Sequence, residues 1–172
     1  MTRPPRRYWR DHRAVVLWLG CALLVLWRVT AINNRPAGPE LLEEGIHQVR
    51  RVVDGDTLVL ASGARLRLQG IDTPETVKPN HPVEKWGPEA AAFTRDFLDR
   101  GEVRLVFDRE RQDRYGRFLA YVYVDDRMLN EELVRAGLAT AEPGFRYSAS
   151  MKRKVLAAEA EAKAARRGIW SE

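Results

Sequence analysis

Two short acidic motifs stand where predicted strands end in this 172-residue chain. "DGDT" contains Asp54 and Asp56, and "IDTPE" contains Asp72 and Glu75. Carboxylates without His or Cys suit a hard cation, Ca²⁺ or Mg²⁺. Backbone carbonyls and water then complete its coordination shell. The spacing is not that of an EF-hand loop, so we expect such ligands to come from separate strands. Either motif alone is also typical of an ordinary turn or strand end.

Two arginines occupy similar strand edges. Arg67 lies on the strand that leads into Asp72, and Arg117 lies in "DRYGR" at the start of another strand. A phosphodiester needs a metal to polarise one oxygen and guanidinium groups to bond the others as charge builds. A remaining carboxylate can take a proton from attacking water. Taken singly, each arginine is better explained by a surface ion pair.

The elements that position these residues read as strands followed by helices. From Ile46, the alternating pattern predicts two or three strands with a hairpin turn at Ser62-Gly63. A helix is predicted after Pro88, with Phe93 and Phe97 on one face and Gly101 at its end.

The second half of the chain continues this pattern. "EVRLVFD" and "RFLAYVYVDD" are predicted strands, and "RMLNEELVRAG" is a short helix that Gly137 ends. The last segment predicts a long helix, with Ser148 or Ser150 as its N-cap and Gly168 past its end. This order favours an α+β fold in which five strands form a small barrel with helices packed outside.

The first 45 residues differ from the rest in composition. Residues 1–13 carry five Arg and one Asp, and they precede an apolar stretch that spans about 28 Å if 14–32 is helical. This arrangement predicts either a transmembrane signal-anchor or a cleaved signal peptide, with residues 1–13 in the cytoplasm. Residues 33–45 are predicted to be a linker to an exported domain at 46–172, which is membrane-anchored or, after cleavage, secreted.

Charge and cysteine content exclude several classes of protein. The net charge is +5, but residues 45–172 carry 22 basic and 20 acidic residues, so polyanion binding has to rest on local clusters. The sole cysteine, Cys21, lies in the apolar stretch, which excludes a disulfide framework and a cysteine nucleophile from the exported part. The three scattered histidines have no zinc-ligand spacing.

Several ordered motifs together resemble the staphylococcal nuclease (thermonuclease) family. From about Val49 to the last residue the chain contains "VVDGDTL", "RLQGIDTPET", "PVEKWGPEAAAFT", "DRYGRFLAYVYVD", "MLNEELVRAGLA" and "GIWSE". The resemblance implies an OB-fold barrel of five strands with three α-helices. It also implies a Ca²⁺-dependent phosphodiesterase that acts on DNA and RNA and cleaves the bond to the 5′ oxygen, leaving 3′-phosphates.

Carried over by motif, the resemblance assigns the metal ligands. It implies that Asp56, Asp72 and the backbone carbonyl of Thr73 hold Ca²⁺, with Asp54 behind them. No obligate protein partner is implied, and we expect a monomer.

The same resemblance assigns the catalytic and substrate-binding residues. It makes Glu75 the general base, has Arg67 and Arg117 stabilise the pentacoordinate phosphorus, and has Arg114 and Tyr115 contact a neighbouring phosphate. Arg114 stands where the family has Lys. We also expect Glu84 to hold the loop after Glu75.

One stretch departs from the family pattern. Where family members have two tyrosines, this chain has "TAEPGFRYSA", in which Phe145 and Tyr147 are the candidates for base stacking. Two alternatives to a nuclease stay open. OB-type barrels also serve as nucleic-acid-binding modules without the chemistry or as interaction modules, so the chain could instead be such a binding module or an envelope interaction scaffold.

Overall fold

The computed structural model describes residues 42–77 and 82–171. The strands are β1 (Gly45–Val52), β2 (Thr57–Leu60), β3 (Arg65–Leu68), β4 (Ile71–Asp72), β5 (Glu102–Val106), β6 (Phe118–Val124), β7 (Arg127–Met128) and β8 (Thr140–Ala141). The helices are α1 (Gly87–Phe97), α2 (Leu129–Arg135) and α3 (Ala149–Ala164), and a 3₁₀ turn spans Gly168–Trp170.

Five strands close into a barrel. Antiparallel pairing runs in the order β3, β2, β1, β5 and β6, and a parallel pairing of β3 with β6 joins the two ends. In that closing pair Leu66 lies opposite Phe118, and Arg67 lies opposite Leu119. The predicted five-stranded barrel with three helices is therefore confirmed. The short strands are additions, since β7 extends the edge at β6 and β4 pairs with β8.

Strand alternation separates the core from the site. On β3, Leu66 and Leu68 are buried in the barrel core, whereas Arg65 and Arg67 point to the opposite face, because side chains alternate along a strand. The two polar positions therefore lie outside the core, on the side where chemistry can occur.

Asn130 at the start of α2 ties the helices to the closing strands. Its side-chain Nδ2 donates to the carbonyl oxygens of Gln69 and Ala120, at 3.0 and 3.3 Å, and its Oδ1 accepts from Val122 N at 3.0 Å. Asn130 is fully buried. These bonds anchor the start of α2 to the backbone of β6 and of Gln69, and they satisfy the polar atoms of the buried Asn130 side chain.

The local signals in the sequence are largely confirmed. Gly63 adopts a left-handed φ of +89° in the turn between β2 and β3. The rings of Phe93 and Phe97 stack with centroids 6.1 Å apart on one face of α1. Ser148 is the N-cap of α3, where its hydroxyl accepts from Met151 N.

The predicted domain boundary was placed too late. Leu42 is buried in the core, Phe107 N donates to Glu44 Oε1 at 2.8 Å, and Gly45 begins β1. Residues 42–45 therefore belong to the domain and not to the linker.

The basic N-terminus, the apolar segment 14–32 and most of the linker lie outside the described residues. Within 42–77 and 82–171, no helix has the length and apolar character needed to cross a membrane.

Candidate active site

An open pocket of about 510 Å³ lies beside the barrel, where the turns after β1 and β3 meet. It brings together every residue predicted to bind metal or to catalyse, with one of the two predicted phosphate contacts. Its lining residues are Asp54, Asp56, Thr57, Arg65, Arg67, Asp72, Thr73, Glu75, Tyr115 and Arg117.

The tight turn between β1 and β2 presents Asp54 and Asp56. Asp56 N donates to Asp54 Oδ1 at 3.2 Å, and both residues are buried. A Cβ at Gly55 would lie 2.8 Å from side-chain atoms of Ala90 and Thr73, so only glycine fits between the turn and its neighbours. The close packing of this glycine fixes the two carboxylates against the pocket wall.

The pKa of Asp54 is raised to about 7, mainly by burial and in addition by the negative charge of Asp56. Both causes disfavour the ionised form, because burial removes the carboxylate from water and the charge of Asp56 repels it. This part of the pocket therefore favours an added positive charge.

Arg67 joins the two predicted metal-binding aspartates. Its guanidinium forms an ion pair with Asp56, and Nη2 lies 2.5 Å from Asp72 Oδ1. Asp56 Oδ2 also accepts from the backbone N and the hydroxyl of Thr73, each at 3.0 Å. Burial raises the pKa of Asp72, although the nearby guanidinium acts in the opposite direction. Arg67 therefore stands where it neutralises both carboxylates.

The backbone around Glu75 is held from one side. Glu75 N donates to Glu84 Oε2 at 3.0 Å, and Glu84 N donates to the carbonyl oxygen of Glu75 at 2.9 Å. The expected role of Glu84 in holding this loop is confirmed. Glu75 Oε1 accepts from the backbone N of Thr76 and Val77 at 3.1 Å, whereas Oε2 has no hydrogen-bond partner among the residues described. One carboxylate oxygen is thus anchored and the other is available.

Asp113 positions Arg117, a role that the sequence reading missed. Asp113 Oδ2 accepts from Arg117 Nε at 2.7 Å, while Oδ1 accepts from the backbone N of Tyr115 and Arg117 at 2.9 Å. Burial acts to raise the pKa of Asp113, but the hydrogen bonds from Arg117 and Tyr115 hold it below its usual value. An Asp that opens a turn with Gly at its fourth position, here Gly116, is the signal that identifies it.

Of the two predicted phosphate contacts, only Tyr115 lines the pocket. Tyr115 is 65% exposed, with the guanidinium carbon of Arg114 4.8 Å from its ring centroid and that of Arg117 5.7 Å away. Arg114 is exposed and is not among the residues that line the pocket. The positive charge of Arg114 therefore lies next to Tyr115, at the edge of the pocket.

The two candidates for base stacking differ in exposure. Phe145 is 43% exposed, whereas Tyr147 is 8% exposed. The Tyr147 ring packs on Gly70, where an added Cβ would lie 2.8 Å from the ring. The structure does not support Tyr147 as a stacking surface because its ring is part of the core packing. Of these two candidates, Phe145 is the one whose ring is available to a ligand.

The donor set of the pocket fits a hard divalent cation. Asp56, Asp72 and Thr73, the three predicted metal ligands, line it with oxygen-bearing groups, and no His or Cys is among its lining residues. The guanidinium of Arg67 between the two aspartates is itself a positive group held by these oxygens. Among residues 42–77 and 82–171, no three His, Cys, Asp or Glu side chains form a ready-made metal cluster. Backbone carbonyls and water would therefore have to complete the shell.

Comparison with known proteins gives an independent result. Residues 65–172 match the family model described as "Staphylococcal nuclease homologue". The chain is 41% identical over 143 residues to a thermonuclease of Staphylococcus hyicus, covering 80% of this chain and 82% of the relative. It is 45% identical over 127 residues to a thermonuclease of Staphylococcus intermedius, covering 71% and 74% respectively.

A more distant match is 39% identical over 129 residues. It is the endonuclease YncB of Bacillus subtilis (strain 168), and the match covers 70% of this chain and 59% of the relative. The region matched by the family model runs from β3 to the C-terminal turn, and so it includes Arg67, Asp72, Glu75 and Arg117. With its barrel, its pocket and these relatives, the chain belongs to the staphylococcal nuclease family.

Proposed function

We propose that this chain is a Ca²⁺-dependent endonuclease that hydrolyses DNA and RNA at the bond to the 5′ oxygen and leaves 3′-phosphates. The observation that carries the proposal is one pocket containing paired aspartates, two arginines and a glutamate with a free oxygen. The thermonuclease and endonuclease relatives support phosphodiester hydrolysis. The chain is a nuclease on this family relationship, and the metal and bond specificity are our proposal.

Glu75 is placed to act as the general base. Its anchored Oε1 orients the carboxylate, and its free Oε2 accepts the proton of the attacking water. The water oxygen forms the new bond to phosphorus as the bond from phosphorus to the 5′ oxygen breaks. The departing oxygen gains a proton and leaves as a hydroxyl, while the 3′ side retains the phosphate.

Arg67 and Arg117 bond the non-bridging oxygens of the phosphate as negative charge accumulates. Guanidinium groups suit this role because they present several donors in a rigid plane. The carboxylate of Asp113 accepts from Arg117 Nε, which leaves the terminal N–H groups of this pocket-lining arginine for the phosphate. Arg67 is 12% exposed at the boundary between the aspartates and the open pocket.

Asp56, Asp72 and the carbonyl of Thr73 would hold the cation, with Asp54 behind them. When bound, the cation supplies Lewis-acid polarisation of a phosphate oxygen and neutralises developing charge. A cation held here would offset the repulsion from Asp56 that contributes to the raised pKa of Asp54.

Arg114 and Tyr115 are proposed to contact a phosphate next to the scissile one, and Phe145 to stack on a base. Stacking on an aromatic ring is tolerant of base identity, which fits a nuclease without sequence preference. We also propose that the domain acts outside the cytoplasm as a monomer, anchored by residues 14–32 or released after cleavage.

The test is hydrolysis of single-stranded DNA and of RNA by the purified full chain, in calcium and in chelator. We expect cleavage in calcium, its loss in chelator, and products whose 5′ ends can be labelled by a kinase without prior phosphatase treatment. Equal rates in both conditions would contradict the metal dependence. Binding without cleavage at saturating calcium would favour a nucleic-acid-binding module.

A further inference from the structure

Two further pockets continue from the catalytic pocket. A small one of about 80 Å³ shares Arg67 and Arg117 with the catalytic pocket and has Phe145 on its other side. A larger one of about 630 Å³ also includes Phe145 and is lined by Arg109, Glu110, Arg146, Tyr147 and Lys152. Phe145 therefore stands at the junction of two cavities, one of which opens onto the catalytic arginines.

The larger pocket contains two arginine side chains without a partner among the described residues. The side chains of Arg109 and Arg146 are exposed and form no ion pair or hydrogen bond with any residue in 42–77 or 82–171. By contrast, Arg67 and Arg117 are each held by a carboxylate. Glu110 is the acidic residue in the lining of this pocket, so the two arginines and Lys152 leave it net positive.

A single carboxylate fixes the backbone on both sides of this pocket. Asp108 Oδ1 accepts from Arg109 N at 2.7 Å, and Asp108 Oδ2 accepts from Ser148 N at 2.7 Å. The buried Tyr121 hydroxyl donates to the same Oδ2 at 2.9 Å. Arg146 lies two residues before Ser148. The Asp108 carboxylate therefore holds the segment of Arg109 next to the segment of Arg146.

We propose that the Arg109–Arg146 pocket is a second phosphate-binding site for the single-stranded nucleic acid that is cut in the catalytic pocket. The strand runs from Arg67 and Arg117, past a base stacked on Phe145, to phosphates bonded by Arg109 and Arg146. The combination of a stacking ring with a basic groove is the arrangement that binds single strands without sequence preference. This inference rests on the proposed nuclease function for the identity of its ligand.

The proposal predicts that affinity rises with strand length because only a longer strand reaches both sites. Each phosphate contact also releases counterions, so affinity falls with salt in proportion to the contacts made. Removal of two contacts should lower the slope of log affinity against log salt by about 1.4 for a single strand.

The experiment measures binding of labelled single-stranded DNA by fluorescence anisotropy. All proteins are full chains that carry Glu75→Gln, so that the DNA is not cleaved during the measurement. The buffer contains excess calcium. The probes are an oligonucleotide of ~12 nucleotides, within the range that OB folds accommodate, and a dinucleotide. The test variant is Arg109→Gln with Arg146→Gln. The matched control is Arg95→Gln with Arg100→Gln, which removes the same charge from exposed residues outside all three pockets.

We expect the test variant to bind the long strand ~5- to 30-fold more weakly, as for two exposed ionic contacts, and to lose most of the affinity gained with length. The control should stay within about twofold, because charges far from the strand are screened. Arg109→Lys with Arg146→Lys should retain most of the affinity, since lysine also bonds phosphate.

Three results would overturn the proposal. They are unchanged affinity for the long strand in a folded test variant, an equal loss in the control variant, and no binding of the long strand by the parent protein. If the parent binds in this length-dependent way but the unsubstituted chain cleaves nothing, the second site stands and the proposed nuclease function fails. If the unsubstituted chain cleaves and the test variant binds normally, only the second site fails.

Discussion

The guanidinium of Arg67 lies against the carboxylate of Asp72, with 2.5 Å between Nη2 and Oδ1. The two residues are five positions apart, one on β3 and the other on β4, and Arg67 also forms an ion pair with Asp56. One residue therefore links the carboxylates proposed to hold the cation with the open pocket proposed to hold the phosphate.

Replacing Arg67 should remove transition-state stabilisation. We expect Arg67→Gln to lower kcat for single-stranded DNA at least ~10²-fold, as loss of an oxyanion donor does in other enzymes. The matched control is Arg65→Gln, two residues along the same strand and in the same pocket but without an ion pair to any described residue. Steady-state kinetics on proteins with unchanged circular dichroism make the comparison. Equal losses in the two variants would contradict a specific role for Arg67.

Asp113 should act on activity through Arg117. Asp113→Asn keeps an oxygen for the backbone N of Tyr115 and Arg117 but loses the acceptor for Arg117 Nε. We expect kcat to fall about 10- to 100-fold, because a small displacement of a catalytic group has an effect of that size. Asp126→Asn, in an exposed turn, is the control. Normal kcat in the Asp113 variant would show that Arg117 does not need this partner.

The raised pKa of Asp54 predicts how stability depends on pH in the metal-free protein. Its folded pKa of about 7 lies above the ordinary value of 3.8, so between these values the folded state binds a proton that the unfolded state does not. This contribution to stability is present at low pH and is lost as pH rises through about 7.

Asp54→Asn should remove that loss. The amide keeps an oxygen acceptor for Asp56 N. In chelator, we expect the variant to be more stable than the parent by about 1–3 kcal/mol near pH 8.5, with little difference near pH 4. Urea denaturation at the two pH values measures this. A variant that is less stable than the parent at the higher pH would contradict the raised pKa.

Gly137 should be intolerant of any side chain. It has a φ of +73°, and an added Cβ would lie 2.2 Å from the carbonyl oxygen of Arg167. The Gly137 carbonyl accepts from Ile169 N at 2.9 Å, which joins the end of α2 to the C-terminal turn. Gly116→Ala is the control, since Gly116 has a φ of +74° with nothing within 4 Å of the added Cβ.

We expect Gly116→Ala to cost about 1 kcal/mol for its left-handed backbone alone. Gly137→Ala should cost at least ~2 kcal/mol more, because backbone atoms have to move to admit the methyl group. The free energy of unfolding in urea decides this. Equal values for the two variants would show that the C-terminal turn moves away without cost.

Periodicity made much of this fold predictable. Leu66 and Leu68 alternate with Arg65 and Arg67, and that pattern alone places the leucines in a core and the arginines on the outside. Turn and cap residues such as Gly63 and Ser148 are local signals whose structural effect does not depend on distant contacts. The sequence alone was therefore sufficient to assign the predicted site residues to the strands and turns on which they lie.

Contacts between distant segments were not predictable in the same way. Tyr147 resembles an available aromatic in the sequence, but the missing side chain of Gly70 leaves room for its ring, which makes it part of the core. Leu42 belongs to the core only because the barrel lies beside it.

The account depends most directly on Glu75. The decisive measurement is the rate of single-stranded DNA hydrolysis at saturating calcium for the full chain, for Glu75→Gln and for the control Glu89→Gln on α1. Because general-base catalysis contributes roughly 10²- to 10⁴-fold, we predict a loss of at least ~10²-fold in the folded Glu75 variant and an unchanged rate in the control. A folded Glu75→Gln protein that cleaves at the parent rate would contradict the assignment of this pocket as the catalytic centre.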